Sequence, residues 1–336
     1  MTTHHWQFKW PLFGNGNIID FLEKSIASRQ LANCYIIAGP SGVGKNNLAN
    51  SFAQALLCDN LKKQGGELPC GECGNCQQTD RGAHRDLIKV QRDLGKKNIS
   101  IEQIRSFIYA MQTGSFSSNY KVGIIKEAEA LNSESSNALL KTLEEHQPGV
   151  VIILTTVNLD DLPETVRSRS QIISLKPVSS SDIYDYILGQ YNITRDGAKQ
   201  ISRLAAGRPA LAVKLAQDKE FFQETKNTLN KIIELIKGNA AVKMQTADEL
   251  LSQDNSGETA EQARGILQLW QSIIRDRLLL EYGLGHILIN EVVVDKIKSL
   301  SLSKTELLKM NEAIGEAEKY LNANVNPKLV LESVYL

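Results

Sequence analysis

Short apolar runs alternate with amphipathic segments through the first half of the chain. Four of these runs are typical of buried strands, at residues 34–38, 87–90, 122–125 and 150–156. Apolar residues at helical spacing mark three further segments, at residues 47–57, 101–111 and 135–145. Ser100, directly before the second of these segments, is a candidate N-cap. Strands and helices that alternate in this way predict a parallel sheet with helices on both faces.

The pattern changes after Pro177, where one helical segment follows another. The clearest of them are residues 222–236, 261–281 and 304–321. A turn-like AGRPA sequence at residues 206–210 suggests a further division of this half. We therefore predict three domains: a sheet domain at residues 1–177, a small helical domain at 178–214 and a C-terminal helical bundle at 215–336.

Composition narrows the class of protein. The chain has 336 residues, of which 42% are hydrophobic and 23% charged, as in ordinary globular proteins. Its 38 basic and 38 acidic residues balance, which argues against a strongly basic protein that coats nucleic acid. The start, MTTHHWQFKW, lacks the apolar segment of a secretory signal, and His4 and His5 there are interpreted as incidental. Apolar runs all fall short of the roughly 18 residues of a membrane span, so we expect a cytoplasmic protein.

The stretch GPSGVGKNNLAN, residues 39–50, nearly matches the phosphate-binding pattern G-x-x-x-x-G-K-[ST]. Gly39, Gly42 and Gly44 would let backbone N–H groups curl around phosphates, and Lys45 would reach the β- and γ-phosphates. Asn46 stands where a Ser or Thr hydroxyl normally binds Mg²⁺. A strand before the loop and a helix after it are the context that such a loop requires.

The second half of such a site is a strand that ends in an acidic residue. The candidate is KVGIIKEAEAL, in which the strand ends at Ile125 and Lys126 follows in place of Asp. Glu127 occupies the position of a catalytic glutamate. Because a lysine repels Mg²⁺, the changes at Asn46 and Lys126 together predict that the chain does not hydrolyse ATP by itself. Binding of ATP or ADP through Lys45 is expected to be weak or absent, and a purely structural turn remains an alternative.

Four of the five cysteines lie close together in sequence. Cys58, Cys70, Cys73 and Cys76 form the pattern C-x11-C-x2-C-x2-C, which favours a structural Zn²⁺ site because four thiolates close its tetrahedral shell. Disulfides are disfavoured in a cytosolic chain, and the spacing to Cys58 does not fit ferredoxin-type iron–sulfur clusters. Cys34 lies inside the first predicted strand and is interpreted as a core residue.

Several stretches resemble one family. They are HRDL at residues 84–87, NALLKTLEEH at 137–146 (with His146 in place of the usual proline), VIILTTVNLDDLPETVRSRSQIISLKP at 151–177 and NANVNPKLVLESVYL at 322–336. Together with the phosphate loop and the cysteine module at residues 58–76, they resemble the clamp-loader branch of the AAA+ proteins over nearly the whole chain. The resemblance implies an α/β fold: an AAA+ P-loop parallel sheet domain, a small helical lid domain and an all-α C-terminal collar domain for oligomerisation.

The resemblance also implies roles for particular residues. Thr156, or its neighbour Thr155, would be the sensor-1 residue of the degenerate nucleotide site. Arg169, in the sequence Ser-Arg-Ser where the family usually has Ser-Arg-Cys, would be an arginine finger for a neighbouring subunit's γ-phosphate. Arg208 follows Gly207 directly, which departs from the spacing of an ATP-contacting arginine. We interpret Arg208 instead as an arginine at the start of a lid helix.

For function, the resemblance implies a stator-type subunit of the bacterial DNA polymerase III clamp loader, within a DNA-directed DNA polymerase (nucleotidyltransferase) assembly. Its partners would be the gamma/tau and delta subunits, with the sliding clamp and primed DNA reached through the complex. One alternative is an active gamma-type clamp-loader ATPase. Another, from a different class, is a zinc-dependent nucleic-acid-binding module with a vestigial phosphate loop, which the neutral net charge disfavours.

Overall fold

A computed structural model describes residues 6–10, 13–63, 65–93, 96–116, 118–145, 147–238, 249–250, 259–323 and 325–335. His4, His5 and His146 lie outside these ranges. The chain divides into two compact units, the first formed by residues 1–182 with 208–210 and the second by residues 183–207 with 211–336. The division into three domains at residues 177 and 214 stays a prediction.

The first unit contains a parallel sheet of five strands. In chain order the strands of the molecule are β1 (Trp6–Phe8), β2 (Cys34–Ala38), β3 (Gly66–Leu68), β4 (Leu87–Val90), β5 (Lys121–Ile125), β6 (Val150–Thr156) and β7 (Gln171–Ser174). The five-stranded sheet has the order β4-β5-β6-β2-β7, whereas β1 and β3 form a separate parallel pair. Strand β2 lies between β6 and β7 and is buried along its whole length, as its unbroken apolar sequence predicts.

Helices cover both faces of this sheet. Those of the first unit are α1 (Gly16–Ser28), α2 (Lys45–Leu57), α3 (Asp59–Lys63), α4 (Gly74–Asp80), α5 (Ile101–Gln112), α6 (Ser133–Glu144) and α7 (Glu164–Arg167). Successive side chains of β2 point to opposite faces. Tyr35 and Ile37 therefore join a core with Phe52 of α2, and Ile36 joins a second core with Phe107 of α5.

The second unit is helical in its described residues. Its helices are α8 (Ser180–Gln190), α9 (Arg195–Leu204), α10 (Pro209–Gln217), α11 (Lys219–Lys237), α12 (Thr259–Glu281), α13 (Val294–Lys298), α14 (Lys304–Asn322) and α15 (Pro327–Tyr335), of which α8 and α10 begin in residues of the first unit. Asp276 is fully buried and accepts hydrogen bonds from the backbone N–H groups of Ile289 and Asn290. These bonds fix the segment that follows α12. In the next turn, Glu291 forms ion pairs with Lys199 and Arg203 of α9.

The predicted fold class is confirmed, and the four predicted strands are all present. Ser100 caps α5 in a reciprocal capping box with Gln103. Cys34 is fully buried in the core, as interpreted from the sequence. The fifth strand of the sheet, the β1–β3 pair and α1 were not predicted. Among the described residues, no helix is long and apolar enough to cross a membrane.

One close approach between helix and sheet requires a glycine. A Cβ atom at Gly123 in β5 would collide with the ring of Phe107 and lie 3.0 Å from Sδ of Met111. We expect Gly123→Ala to lower the free energy of unfolding by about 1–3 kcal/mol, because added volume in a packed core forces its neighbours to shift. Urea unfolding followed by circular dichroism measures the change.

Gly114→Ala is the matched control, since its Cβ would meet no atom within 4 Å. Equal unfolding midpoints for the two variants would contradict the packing argument.

Candidate functional site

The phosphate loop, residues 39–45, joins the end of β2 to the start of α2. Its three glycines all have positive φ, at 150° for Gly39, 81° for Gly42 and 102° for Gly44. A Cβ at Gly39 would lie 2.6 Å from the carbonyl oxygen of Leu175, so only glycine fits there. The backbone therefore has the strand–loop–helix form that the sequence predicts.

Lys45 turns its ammonium group back onto its own loop. Nζ donates to the carbonyl oxygens of Gly39 at 2.6 Å and Pro40 at 3.0 Å. Burial lowers the pKa of Lys45, and the negative charge of Glu129 offsets part of this effect. The ammonium group is thus held by neutral carbonyls at the place where the pattern expects phosphate.

The side chain of Asn46 accepts a hydrogen bond from the neighbouring strand β6. The hydroxyl group of Thr155 donates to Oδ1 of Asn46 at 3.3 Å, and the backbone N–H of Glu127 donates to the same hydroxyl at 3.4 Å. The hydroxyl of Thr156 instead donates to the carbonyl of Asn158 at 2.8 Å, in the turn after β6. Of the two threonines considered for sensor 1, Thr155 is therefore the one that contacts the start of α2. The role of Thr156 stays a prediction.

Two basic residues border the end of β5. Nζ of Lys126 donates to Oε1 of Gln91 at 3.3 Å, so its charge lies next to the end of β4. The carboxylate of Glu127 pairs with Nε of Arg92 at 3.0 Å, and its backbone is left-handed with φ of 53°. The partnership of Arg92 with Glu127 was not predicted, because the two residues are 35 positions apart in sequence.

Arg208 lies just before α10, at a helix start as interpreted from the sequence. Its side-chain carbons also pack on the phosphate loop, where Cβ and Cδ lie 3.3 and 3.4 Å from the position of a Cβ on Gly42. The backbone N–H of Ala210 donates to the carbonyl of Gly42 at 3.0 Å. Burial lowers the pKa of Arg208. This contact with the loop is a feature that the sequence analysis missed.

The HRDL motif, residues 84–87, stabilises the segment that precedes a strand of the sheet. Asp86 is fully buried and accepts hydrogen bonds from the backbone N–H groups of Phe116 at 2.6 Å and Ser118 at 3.1 Å. It also accepts one from the Ser118 hydroxyl at 2.7 Å. These bonds hold the segment that leads into β5, so Asp86 has a structural role here.

The four cysteines of the predicted module come together in space. Their sulfur atoms all lie within 4.8 Å of one another, with Cys58 3.5 Å from Cys70 and Cys70 3.9 Å from Cys76. Tetrahedral Zn²⁺ with Zn–S bonds of about 2.3 Å would separate its sulfur ligands by about 3.8 Å, so the arrangement fits a metal ion. Cys58 follows the last residue of α2, Cys70 follows β3, and Cys73 and Cys76 belong to the start of α4.

Backbone and thiol hydrogen bonds polarise this cluster. The N–H groups of Cys73 and Cys76 each donate to the sulfur three residues earlier, at 3.4 Å. A hydrogen bond from Cys76 lowers the pKa of Cys58 to about 5, and the same contact raises the pKa of Cys76 above its usual range. Cys58 is therefore favoured as a thiolate, which is the form that binds metal, whereas burial raises the pKa of Cys73.

Arg169 lies two residues beyond α7, outside the phosphate loop of its own chain. Its Nε and one terminal nitrogen both contact Oε1 of Glu144 at 2.7 Å. The side chain of Arg169 is 37% exposed and that of Glu144 51% exposed. Arg169 thus lies at the surface, paired within the chain.

Comparison with known proteins adds a family relationship to this geometry. A family model described as "DNA polymerase III, delta subunit" matches residues 14–179. The chain is 29% identical over 327 residues to the DNA polymerase III subunit delta' of Bacillus subtilis strain 168, covering 95% of this chain and 94% of that protein. It is 36% identical over 141 residues to the delta' subunit of Pseudomonas aeruginosa, covering 42% of each chain.

Similarity extends to another subunit type and to a solved structure. The gamma subunit of Buchnera aphidicola from Schizaphis graminum is 28% identical over 224 residues, covering 65% of this chain and 60% of that one. The crystal structure of a gamma-subunit-related protein from Thermotoga maritima has a TM-score of 0.51 at 17% identity, covering 94% of this chain and 97% of that one. At this identity the structural match supports the fold alone.

Proposed function

The chain belongs to the clamp-loader family of DNA polymerase III subunits, and we propose that within it the chain acts as the delta' (stator) subunit. In this role it would help to load the sliding clamp onto primed DNA without hydrolysing ATP itself. Its partners would be the gamma/tau and delta subunits, and it would meet the clamp and DNA through the complex. Similarity to a delta' subunit along 95% of the chain supports this choice.

The observation that carries the proposal is the hydrogen bond between Thr155 and Asn46. It engages the side-chain oxygen at the position where a hydroxyl would otherwise bind Mg²⁺. Lys126 adds a positive charge where the metal-binding acid would stand. The loop backbone is intact, so its glycines and Lys45 can still meet phosphate, but two metal positions have been replaced. This combination favours a degenerate nucleotide site with weak or absent binding of ATP or ADP.

Arg169 would be the group that this subunit contributes to ATP hydrolysis. A guanidinium at a subunit edge can stabilise the charge that develops on a neighbour's γ-phosphate, an effect worth about 10³–10⁵ in rate in other phosphoryl-transfer enzymes. Its position at the surface, outside its own phosphate loop, is compatible with action on a neighbouring subunit. Thr155 is the better sensor-1 candidate, because its hydroxyl meets the start of α2.

Zn²⁺ is the metal proposed for Cys58, Cys70, Cys73 and Cys76. Four thiolates satisfy the ion fully and leave no position for a substrate, so the metal would be structural. It would connect the end of α2 to α4 and to the segment after β3.

A gamma-type ATPase is the second candidate, favoured by the similarity to gamma subunits and by the retained Lys45 and Glu127. The two candidates differ in how the isolated chain responds to Mg²⁺. For the delta' role we expect no DNA-stimulated ATP turnover, and any ADP binding measured by calorimetry should change less than about twofold when EDTA replaces Mg²⁺. Lys45→Ala is the control that identifies binding at the loop. DNA-stimulated turnover of the wild-type chain would instead establish the ATPase.

Removal of one thiol should empty the metal site. We expect Cys73→Ser to lower bound zinc from about one ion per chain to well below half, because a hydroxyl is a far poorer Zn²⁺ ligand than a thiolate. Mass spectrometry for elemental zinc measures the content, and Cys34→Ser, in the core away from the cluster, is the control for loss of a cysteine. A wild-type protein purified without chelators that holds no zinc would refute the site.

Loss of the proposed finger should affect only the assembled complex. We expect Arg169→Ala to leave folding and assembly intact. The ATPase rate of the complex reconstituted with gamma/tau and delta should fall by at least the fraction of the total rate that one ATP site contributes. Arg195→Ala removes an exposed arginine from α9 and serves as the control. An unchanged ATPase rate in the Arg169→Ala complex would remove the finger assignment.

A further inference from the structure

The hydrogen bonds of Arg169 show how the proposed finger is held when no neighbour is present. Nε and one terminal nitrogen of its guanidinium contact Oε1 of Glu144, both at 2.7 Å. The other terminal nitrogen donates to the carbonyl of Thr165 at 3.0 Å and to the Ser168 hydroxyl at 3.3 Å. Glu144 is the last residue of α6, whereas Thr165 and Ser168 belong to α7 and its end.

These contacts occupy most of the donor capacity of the side chain. A guanidinium has five N–H groups. Three of them donate hydrogen bonds within the chain, and the second terminal nitrogen forms an ion pair with Oε1 of Glu144. The carboxylate of Glu144 also neutralises the charge that an incoming phosphate would meet. A phosphate that took a bidentate contact would therefore compete with these internal partners for the N–H groups of Arg169.

We propose that Glu144 is an exchangeable internal counter-ion that competes with a neighbouring subunit's nucleotide phosphate for Arg169. The inference rests on the proposed role of Arg169 as a finger in trans. Glu144 is therefore a residue that sets how readily the finger becomes available, and it does not itself touch the nucleotide.

Exposure makes the exchange feasible. Both side chains of the pair are more than a third exposed, and ion pairs of this kind shift an equilibrium by only about 1.5- to 5-fold. A phosphate carries more negative charge than a carboxylate and can take two N–H groups at once, so it would displace Glu144 when a neighbour brings it close. Until then, the pair reduces the apparent affinity for that phosphate by the fraction of time that Arg169 is held.

The principal test removes the charge of Glu144 and keeps its shape. In the complex reconstituted with gamma/tau and delta, Glu144→Gln should raise kcat/KM for ATP about 1.5- to 5-fold, the range that corresponds to the strength of an exposed ion pair. Glu145→Gln is the matched control, because it removes the same charge from the neighbouring residue. Glu145 pairs with Lys141 and not with Arg169. A fall in kcat/KM would show that Glu144 orients the finger productively, and an unchanged value would show that it does not compete; either result overturns the proposal.

A double variant separates this inference from the proposed function. If Glu144 acts through Arg169, Glu144→Gln should have no effect on kcat/KM in a complex that already carries Arg169→Ala. A persistent effect would mean that Glu144 acts elsewhere and would overturn the inference. If Arg169→Ala alone leaves the ATPase unchanged, the finger assignment fails instead, which is a distinct outcome.

A measurement on the isolated chain tests the ion pair itself. In protein labelled with ¹⁵N-arginine, the Nε–H signal of Arg169, identified by its loss in Arg169→Ala, should exchange slowly with water. Glu144→Gln should speed that exchange several-fold, and Glu145→Gln should not. Equal exchange rates in wild type and Glu144→Gln would contradict the internal counter-ion.

Discussion

The burial of β2 is the constraint on which the rest of the first unit depends. This strand is paired on both edges, with β6 and β7, and is covered on both faces by the two apolar cores. Its carboxyl end can therefore lie in only one place relative to its neighbours. The first residue beyond it, Gly39, has its N–H bonded to Thr156 at the end of β6, and it packs on Leu175, beyond the end of β7. Strand pairing and packing together thus fix where the phosphate loop begins.

This dependence separates the shape of the loop from its chemistry. The glycine at position 39 is required by the nearby carbonyl of Leu175, whether or not a nucleotide is ever bound. The fold itself thus requires this glycine, whereas the side chains of Asn46, which is exposed, and Lys126, which is partly buried, lie outside the two apolar cores. The side chain of Asn46 forms a hydrogen bond with Thr155, and that of Lys126 forms one with Gln91. A phosphate-loop motif in sequence is consequently better support for a fold than for a reaction.

The same distinction explains what the sequence could predict. Buried strands such as β2 and β6 are continuous apolar runs, so their positions follow from local pattern alone. Strand β7 was missed because Gln and Ser flank its two isoleucines and leave only a short apolar signal. The pair β1–β3 was missed because each strand has three residues and gains its partner from a segment 60 positions away. Spacing of the cysteines predicted the cluster, since a C-x2-C turn brings its sulfurs together locally.

Local sequence patterns could not predict contacts between side chains that lie far apart in the sequence. The pairing of Arg92 with Glu127 depends on how the segments after β4 and β5 lie together. The pairing of Arg169 with Glu144 depends in the same way on the ends of α7 and α6. The choice between Thr155 and Thr156 was open for a related reason. Adjacent strand residues face opposite sides, so one of the two had to point away from the loop, and only the placement of α2 decides which.

Helix α2 links the two sites that the sequence singled out. Its first residue, Lys45, belongs to the phosphate loop, and Cys58 of the thiol cluster follows its last residue. A metal ion bound by the cluster would fix the carboxyl end of the helix, as the buried strand fixes its amino end. The helix would then be held at both ends without any nucleotide. Such support would keep α2 in place whether or not a nucleotide is bound, which is what the proposed role of a subunit that does not hydrolyse ATP would require.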